Sequence, residues 1–145
     1  GQVSTNVMPI IVHAEDGTEN NAVDEFYLKA KLAPGSDPVS LTEMLLEFSL
    51  KDVSSDLGYL SGKTCSNLNE SNATYFFVEY LIEGDNQAAG YLQRGDVVKI
   101  CFNSSRAVGE DETIAMTLVP KIGNPTVIET ALPDIITEKR VVIYP

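Results

Sequence analysis

Hydrophobic residues along this chain recur with a period of two. Phe26, Leu28, Ala30 and Leu32 alternate with Tyr27, Lys29 and Lys31, the signature of a strand buried on one face. Leu46, Phe48 and Leu50 repeat the pattern, as do Phe76, Val78, Tyr80 and Ile82. Val98, Ile100 and Phe102 oppose Val97, Lys99 and Cys101, and Ile114, Met116 and Leu118 oppose Thr113, Ala115 and Thr117. Val7 to Ala14 is apolar at both parities and reads as a strand covered on both faces. Val127 to Ala131 and Arg140 to Tyr144 are shorter candidates. Turn residues punctuate these runs: Pro34-Gly35-Ser36-Asp37-Pro38 closes the second, and Gly58, Gly84, Gly95 and Gly109 mark others. One segment carries a helical signal. Ser40-Leu41-Thr42-Glu43 has capping-box spacing, which predicts one short helix near residues 40–45. The pattern as a whole predicts an all-β fold, an Ig-like β-sandwich or barrel of about eight or more strands. No repeat or linker interrupts it, so residues 1–145 read as a single β-domain, with Gly1-Gln2 read as a vector-derived scar on an excised outer domain.

Composition adds limits. The 145 residues are 43% hydrophobic and 21% charged, enough to bury one core and too apolar for wholesale disorder. The net charge is −11 and the pI about 4.3. No nucleic-acid partner is expected, because phosphate binding needs a basic face. No membrane contact is expected either: anionic lipid repels this charge, and no apolar run approaches the ~18 residues of a spanning helix.

The chemistry-bearing residues are few. His13 is the only imidazole and lies within an apolar strand, with no serine-bearing elbow beside it in sequence, so a Ser-His-Asp mechanism is not expected. Neither phosphate-cradling glycine motif occurs, and the chain reads as a non-enzyme. His13, Cys65 and Cys101 supply three of the four ligands a structural zinc site needs, so any metal would be a hard ion on oxygen. Glu83-Gly84-Asp85-Asn86-Gln87-Ala88-Ala89-Gly90 offers two carboxylates, two amides and several carbonyls, chemistry suited to Ca²⁺ or Mg²⁺ and equally that of a polar hairpin loop. The two cysteines are open to one disulfide or two reduced thiols. Cys101 has the polar parity of its strand, so a bridge there would staple a loop to the outside of the sheet. Asn69-Glu70-Ser71, Asn72-Ala73-Thr74 and Asn103-Ser104-Ser105 are N-glycosylation acceptor motifs. Arg94-Gly95-Asp96 spells an adhesion tripeptide but is sufficiently explained as a turn leading into a strand.

Three stretches together resemble the archaellins, the archaeal flagellins, and most of all those of methanogens. Leu32-Ala33-Pro34-Gly35-Ser36-Asp37-Pro38-Val39-Ser40-Leu41 is similar to a segment of that family. So is Leu92-Gln93-Arg94-Gly95-Asp96-Val97-Val98. So is the end of the chain, Ala131-Leu132-Pro133-Asp134-Ile135-Ile136 through Val141-Val142-Ile143-Tyr144-Pro145. The likeness runs in order from about Val3. It implies the outer-shell domain of an extracellular motility filament, without the family's long hydrophobic N-terminal helix. Its partners would be copies of itself and other archaellins, and the isolated domain would be monomeric. An extracellular location implies a Cys65–Cys101 disulfide. The resemblance also implies N-linked glycans at Asn69, Asn72 and Asn103. It implies a structural divalent ion, Ca²⁺ or Mg²⁺, with Asp85 and Gln87 as side-chain ligands and Asn86 or Ala88 as lesser candidates. The alternative is a secreted, Ca²⁺-dependent adhesin or lectin-like β-sandwich, drawing on the acidic loop and the tyrosines of Tyr75–Tyr80.

Overall fold

The computed structural model describes residues 6–16, 22–134, 136 and 138–145; the Gly1-Gln2 scar expectation lies outside them. Where the sequence alternates, strands form with most of the apolar parity buried, although Ile82, at the end of its run, is exposed. In chain order the strands are β1 (Val7–Glu15), β2 (Val23–Leu32), β3 (Val39–Ser40), β4 (Leu45–Ser49), β5 (Ser54–Tyr59) and β6 (Tyr75–Ile82). They continue as β7 (Tyr91–Leu92), β8 (Val97–Val108), β9 (Thr113–Val119), β10 (Thr126–Ala131) and β11 (Arg140–Tyr144). Nine of them form one sheet in the order β10-β9-β4-β5-β6-β8-β2-β1-β11, and β3 pairs with β7 separately.

The sheet folds over on itself at its weakest seam. β5 and β6 are parallel and share only the pairs Gly58–Tyr75 and Tyr59–Phe76. The layer β10-β9-β4-β5 therefore faces the layer β6-β8-β2-β1-β11. Phe48 of β4 meets Phe26 of β2 at 4.8 Å and Phe102 of β8 at 5.1 Å between ring centroids. All three rings are buried, each contributing about 1.5–3 kcal/mol by leaving water. On the other side the two outermost strands meet through side chains. Thr130 Oγ1 of β10 donates to the Ile143 carbonyl of β11 at 2.7 Å, and Thr126 Oγ1 donates to the Val7 carbonyl at 2.9 Å. These bonds close the two-layered shell without a continuous ladder.

The short helix expected near residues 40–45 is not there. Val39–Ser40 pair with Tyr91–Leu92, and residues 41–43 form a turn closed by one bond, Met44 N–H to the Leu41 carbonyl. Leu41 and Met44 are both buried, and β4 begins at Leu45. Too few residues remain to offset the cost of helix nucleation. The Glu43 carboxylate reaches Lys121 at 3.5 Å. The helical turn lies instead at Cys65–Glu70, a 3-10 helix capped by Thr64 with Asn67 completing the reciprocal box. β1 also departs from the pattern expected of it. Val7, Val12 and Ala14 are buried, but Met8, Ile11 and His13 on the outer face are only half covered. A register shift between Pro9 and Ile11 changes which parity faces inward, so both parities had to be apolar.

Candidate functional site

The 3-10 helix lies against the outer face of β6 and β8 and seals a second, small core. Cys65 and Cys101 are joined by a disulfide with a Cα–Cα distance of 5.8 Å. Cys65, Leu68, Phe77 and Cys101 are all buried together. The bridge does sit on the face away from the main core, but it is no exposed staple, because the 3-10 helix covers the apolar outward residues Phe77 and Cys101. Polar contacts hold the same cover. Asn103 Nδ2 donates to the Leu68 carbonyl at 2.9 Å, the Asn103 N–H donates to Ser71 Oγ at 3.0 Å, and Ser71 Oγ donates to the Tyr75 carbonyl at 2.6 Å.

That arrangement separates the three sequons. Asn69 and Asn72 are exposed, and Asn72 and Ala73 sit in the left-handed region at φ +50° and +54°, which turns the chain outward before β6. Asn103 differs. Its amide nitrogen, the atom a glycan would occupy, is committed to Leu68, and its Oδ1 is buried without a partner.

The loop between β6 and β8 is built on a residue the sequence reading treated as a simple turn. Asp96 is 1% exposed. Its Oδ1 accepts the Gly84 N–H at 2.7 Å and its Oδ2 accepts the Gln93 N–H at 2.8 Å. Gly84 packs so tightly that a Cβ there would lie 2.5 Å from the Arg94 carbonyl oxygen. Both ends of the loop are thereby pinned, and Asp96 cannot serve as the exposed acid of an adhesion tripeptide. The Tyr80 hydroxyl donates to the Tyr91 carbonyl at 2.6 Å, fixing the crown of the loop. Asp85 and Asn86 are exposed, and Gln87 and Ala88 are half-buried. The Ala88 carbonyl accepts both the Tyr80 hydroxyl and the Tyr91 N–H, each at 3.1 Å. The four residues expected to hold an ion offer one carboxylate and neutral oxygens. No group of three or more His, Cys, Asp or Glu that could hold a metal occurs among the described residues.

His13 faces outward from β1. Its ring stacks on Tyr27 at 4.6 Å with 11° between planes, and its Nε2 is buried without a hydrogen-bond partner. Burial, then the nearby Arg140, lowers its pKa below the usual imidazole value. This is a packing histidine. At the far rim, Arg106 grips Glu112 through two bonds of 2.6 and 3.0 Å and also reaches Asp52 at 2.8 Å. The guanidinium holds the Glu112 carboxyl below its ordinary range.

Comparisons with known proteins give the family and the fold. The archaeal-type flagellin family model matches residues 1–130. A crystal structure of archaeal flagellin FlaB1 from Methanocaldococcus jannaschii superposes with a TM-score of 0.87 at 17% identity, covering 95% of this chain and 96% of that one. The archaeal flagellum of Methanospirillum hungatei gives 0.64 at 13% identity, covering 99% of this chain and 73% of that one. The periplasmic stator complex FlaF and FlaG of Sulfolobus acidocaldarius gives 0.54 at 15% identity, covering 89% and 91%. Comparison with curated protein sequences gives no match.

Proposed function

This chain belongs to the archaeal-type flagellin family, and from that premise we propose that its β-domain forms the outer shell of the archaellum filament. Family membership makes it a structural subunit of an extracellular appendage, assembled from flagellin copies, and not an enzyme. The finer reading is one of packing and display: the closed two-layer shell stands outward and meets neighbouring copies through heterologous contacts that do not close into a ring. The observation that carries it is the family match over residues 1–130. The fold alone does not separate a filament subunit from a stator protein, since the stator complex shares it.

Glycans on this shell would sit on Asn69 and Asn72, whose side chains are exposed, while the committed amide of Asn103 disfavours that site. A divalent ion at the 85–88 loop would draw on the Asp85 carboxylate and the Gln87 amide oxygen, with Asn86 or the Ala88 carbonyl secondary. One carboxylate among neutral oxygens gives weak binding, and its effect on stability would grow with ion concentration as RT ln(1 + [L]/Kd). Asp85→Ala should then lower the melting temperature in Ca²⁺ or Mg²⁺ and leave it unchanged in chelator; equal loss in both conditions would remove the loop as a site. Of the groups the lectin-like alternative draws on, Tyr80 is spent on holding its own loop, and the family match favours the filament reading. The functional test is genetic. Cells lacking this gene should lose or shorten their archaella in electron micrographs and regain them on complementation. Unchanged filaments and unchanged swimming would count against the reading.

A further inference from the structure

The chain has 21 acidic and 10 basic residues, and half of the basic ones make no ion pair among the described residues. Two of these, Lys31 and Arg94, line one groove at one end of the domain. Lys29 and Lys31 occupy the outer parity of β2, with Lys29 directly opposite Lys99 of β8; like charges facing across a ladder are destabilising. Lys99 is neutralised by Glu79 at 3.6 Å. Among the described residues no ion pair involves Lys29, Lys31 or Arg94. Lys31 and Arg94, both exposed, line a groove of about 440 Å³ between residues 31–36 and 94–97. The acid nearest in sequence, Asp96, is turned inward onto two backbone amides.

The opposite end of the same strand has the opposite surplus. β8 runs 12 residues from Val97 to Val108, roughly 36 Å at the usual rise. Beyond it Glu110, Asp111 and Glu112 meet the segment before β11, where the Asp111 N–H donates to the Pro133 carbonyl at 3.1 Å. Arg106 neutralises Glu112. Asp111 and Asp134 are left exposed, with Lys51 the one cation among the described residues lining the same cleft as Asp111; the neighbouring Asp134 carboxyl raises the Asp111 pKa, which a further cation would relieve.

We propose that the Lys31–Arg94 groove of one copy receives the Asp111–Asp134 end of the next, a head-to-tail contact along the direction of β8. The occupant is a second copy of this chain because the same molecule carries both complementary surfaces at opposite ends. Two different patches in contact make a heterologous interface, which extends into a line rather than closing as a dimer. This inference rests on the filament reading and names one of the contacts that reading requires.

Two double variants test it, Lys31→Glu with Arg94→Glu, and Asp111→Lys with Asp134→Lys. All four side chains are exposed, but Asp111 sits at φ +67°, where asparagine is better tolerated than lysine; unchanged circular dichroism and melting temperature check each fold, and Lys31→Ala with Arg94→Ala and Asp111→Asn with Asp134→Asn are the milder fallbacks. By sedimentation velocity at high concentration the parent should self-associate, in place of the monomer that the family resemblance implies for the isolated domain, and less so as salt rises. Each reversed variant alone should associate about tenfold or more weakly. A mixture of the two should recover association, because each variant's altered end then meets an opposite charge. A parent that stays monomeric at every concentration, variants that associate like the parent, or a mixture that stays apart would overturn the contact. Archaella built from each variant separate this failure from the larger one. Normal filaments from both reversed variants refute the contact and leave the filament role standing, whereas a parent chain never found in filaments refutes both.

Discussion

Replacing Cys65 and Cys101 together by alanine removes the only covalent cross-link and should cost about a third of a typical domain's stability. The bridge closes a loop of sequence separation 36. On the chain-entropy account a loop of that length restricts the unfolded chain by about 13 cal/mol/K, or ~4 kcal/mol at 25 °C. The native side contributes less. The 3-10 helix keeps its Thr64 cap and its bonds from Asn103 and Ser71, so the cover over Phe77 stays docked when the bridge is gone. Most of the loss therefore lies in the unfolded state, which expands. Urea unfolding is the assay. With m near 2 kcal/mol/M the midpoint should fall by about 2 M, and m itself should rise as the freed chain exposes more surface. The melting temperature should drop by roughly 10–15 °C. A midpoint shift below about 0.5 M would refute the reasoning. So would full loss of amide protection confined to residues 65–71, because that would make the bridge a local clamp on the native turn.

Asp96→Asn keeps the shape of the side chain but turns one acceptor of a backbone N–H into a donor; urea unfolding should show a loss of about 1–3 kcal/mol, and a loss below about 0.5 kcal/mol would contradict the pinning role. His13 has a folded-state pKa below its unfolded one, so the unfolded chain takes up the proton first. Its effect is absent well above the usual imidazole value and appears as falling stability when pH drops through that value. His13→Phe, which keeps the stack on Tyr27, should flatten that part of a melting-temperature–pH curve; parallel curves for parent and variant would contradict it. In protein purified from its natural source, intact-mass measurement should show a glycan lost with Asn69→Gln and with Asn72→Gln but not with Asn103→Gln. The last should instead destabilise by about 1 kcal/mol through the bond to Leu68, and a glycan on Asn103 would overturn this assignment.

Strand positions were legible because alternation reports directly on which face meets the core. Phe26, Phe48 and Phe102 all fall on the parity that the sequence assigns inward. The same rule, carried one step further, reaches Asp96, which shares the parity of Val98, Ile100 and Phe102 and is likewise buried; reading Gly95-Asp96 as a generic turn hid that signal. What alternation cannot report is what covers an outward face. Cys101 and Asn103 have outward parity, and only the fold shows the 3-10 helix lying over them and consuming the Asn103 amide. Strands with little apolar content were also missed. β5, Ser54–Tyr59, has Leu57 as its one buried residue, and β3 and β7 are two residues each. The expected helix at residues 40–45 failed for the converse reason. Its capping pattern was local, and pairing of Val39–Ser40 with Tyr91–Leu92 outweighed it. The 85–88 loop was placed correctly between strands, but residue types alone did not show that the Ala88 carbonyl already serves Tyr80 and Tyr91.

The central claim is that this β-domain clothes the archaellum. An electron cryo-microscopy map of filaments purified from cells making this chain as their sole archaellin tests it most directly. The account predicts one copy of the folded nine-stranded shell per subunit repeat, at the outer radius. A filament surface without that domain, with the chain recovered only away from filaments, would contradict it.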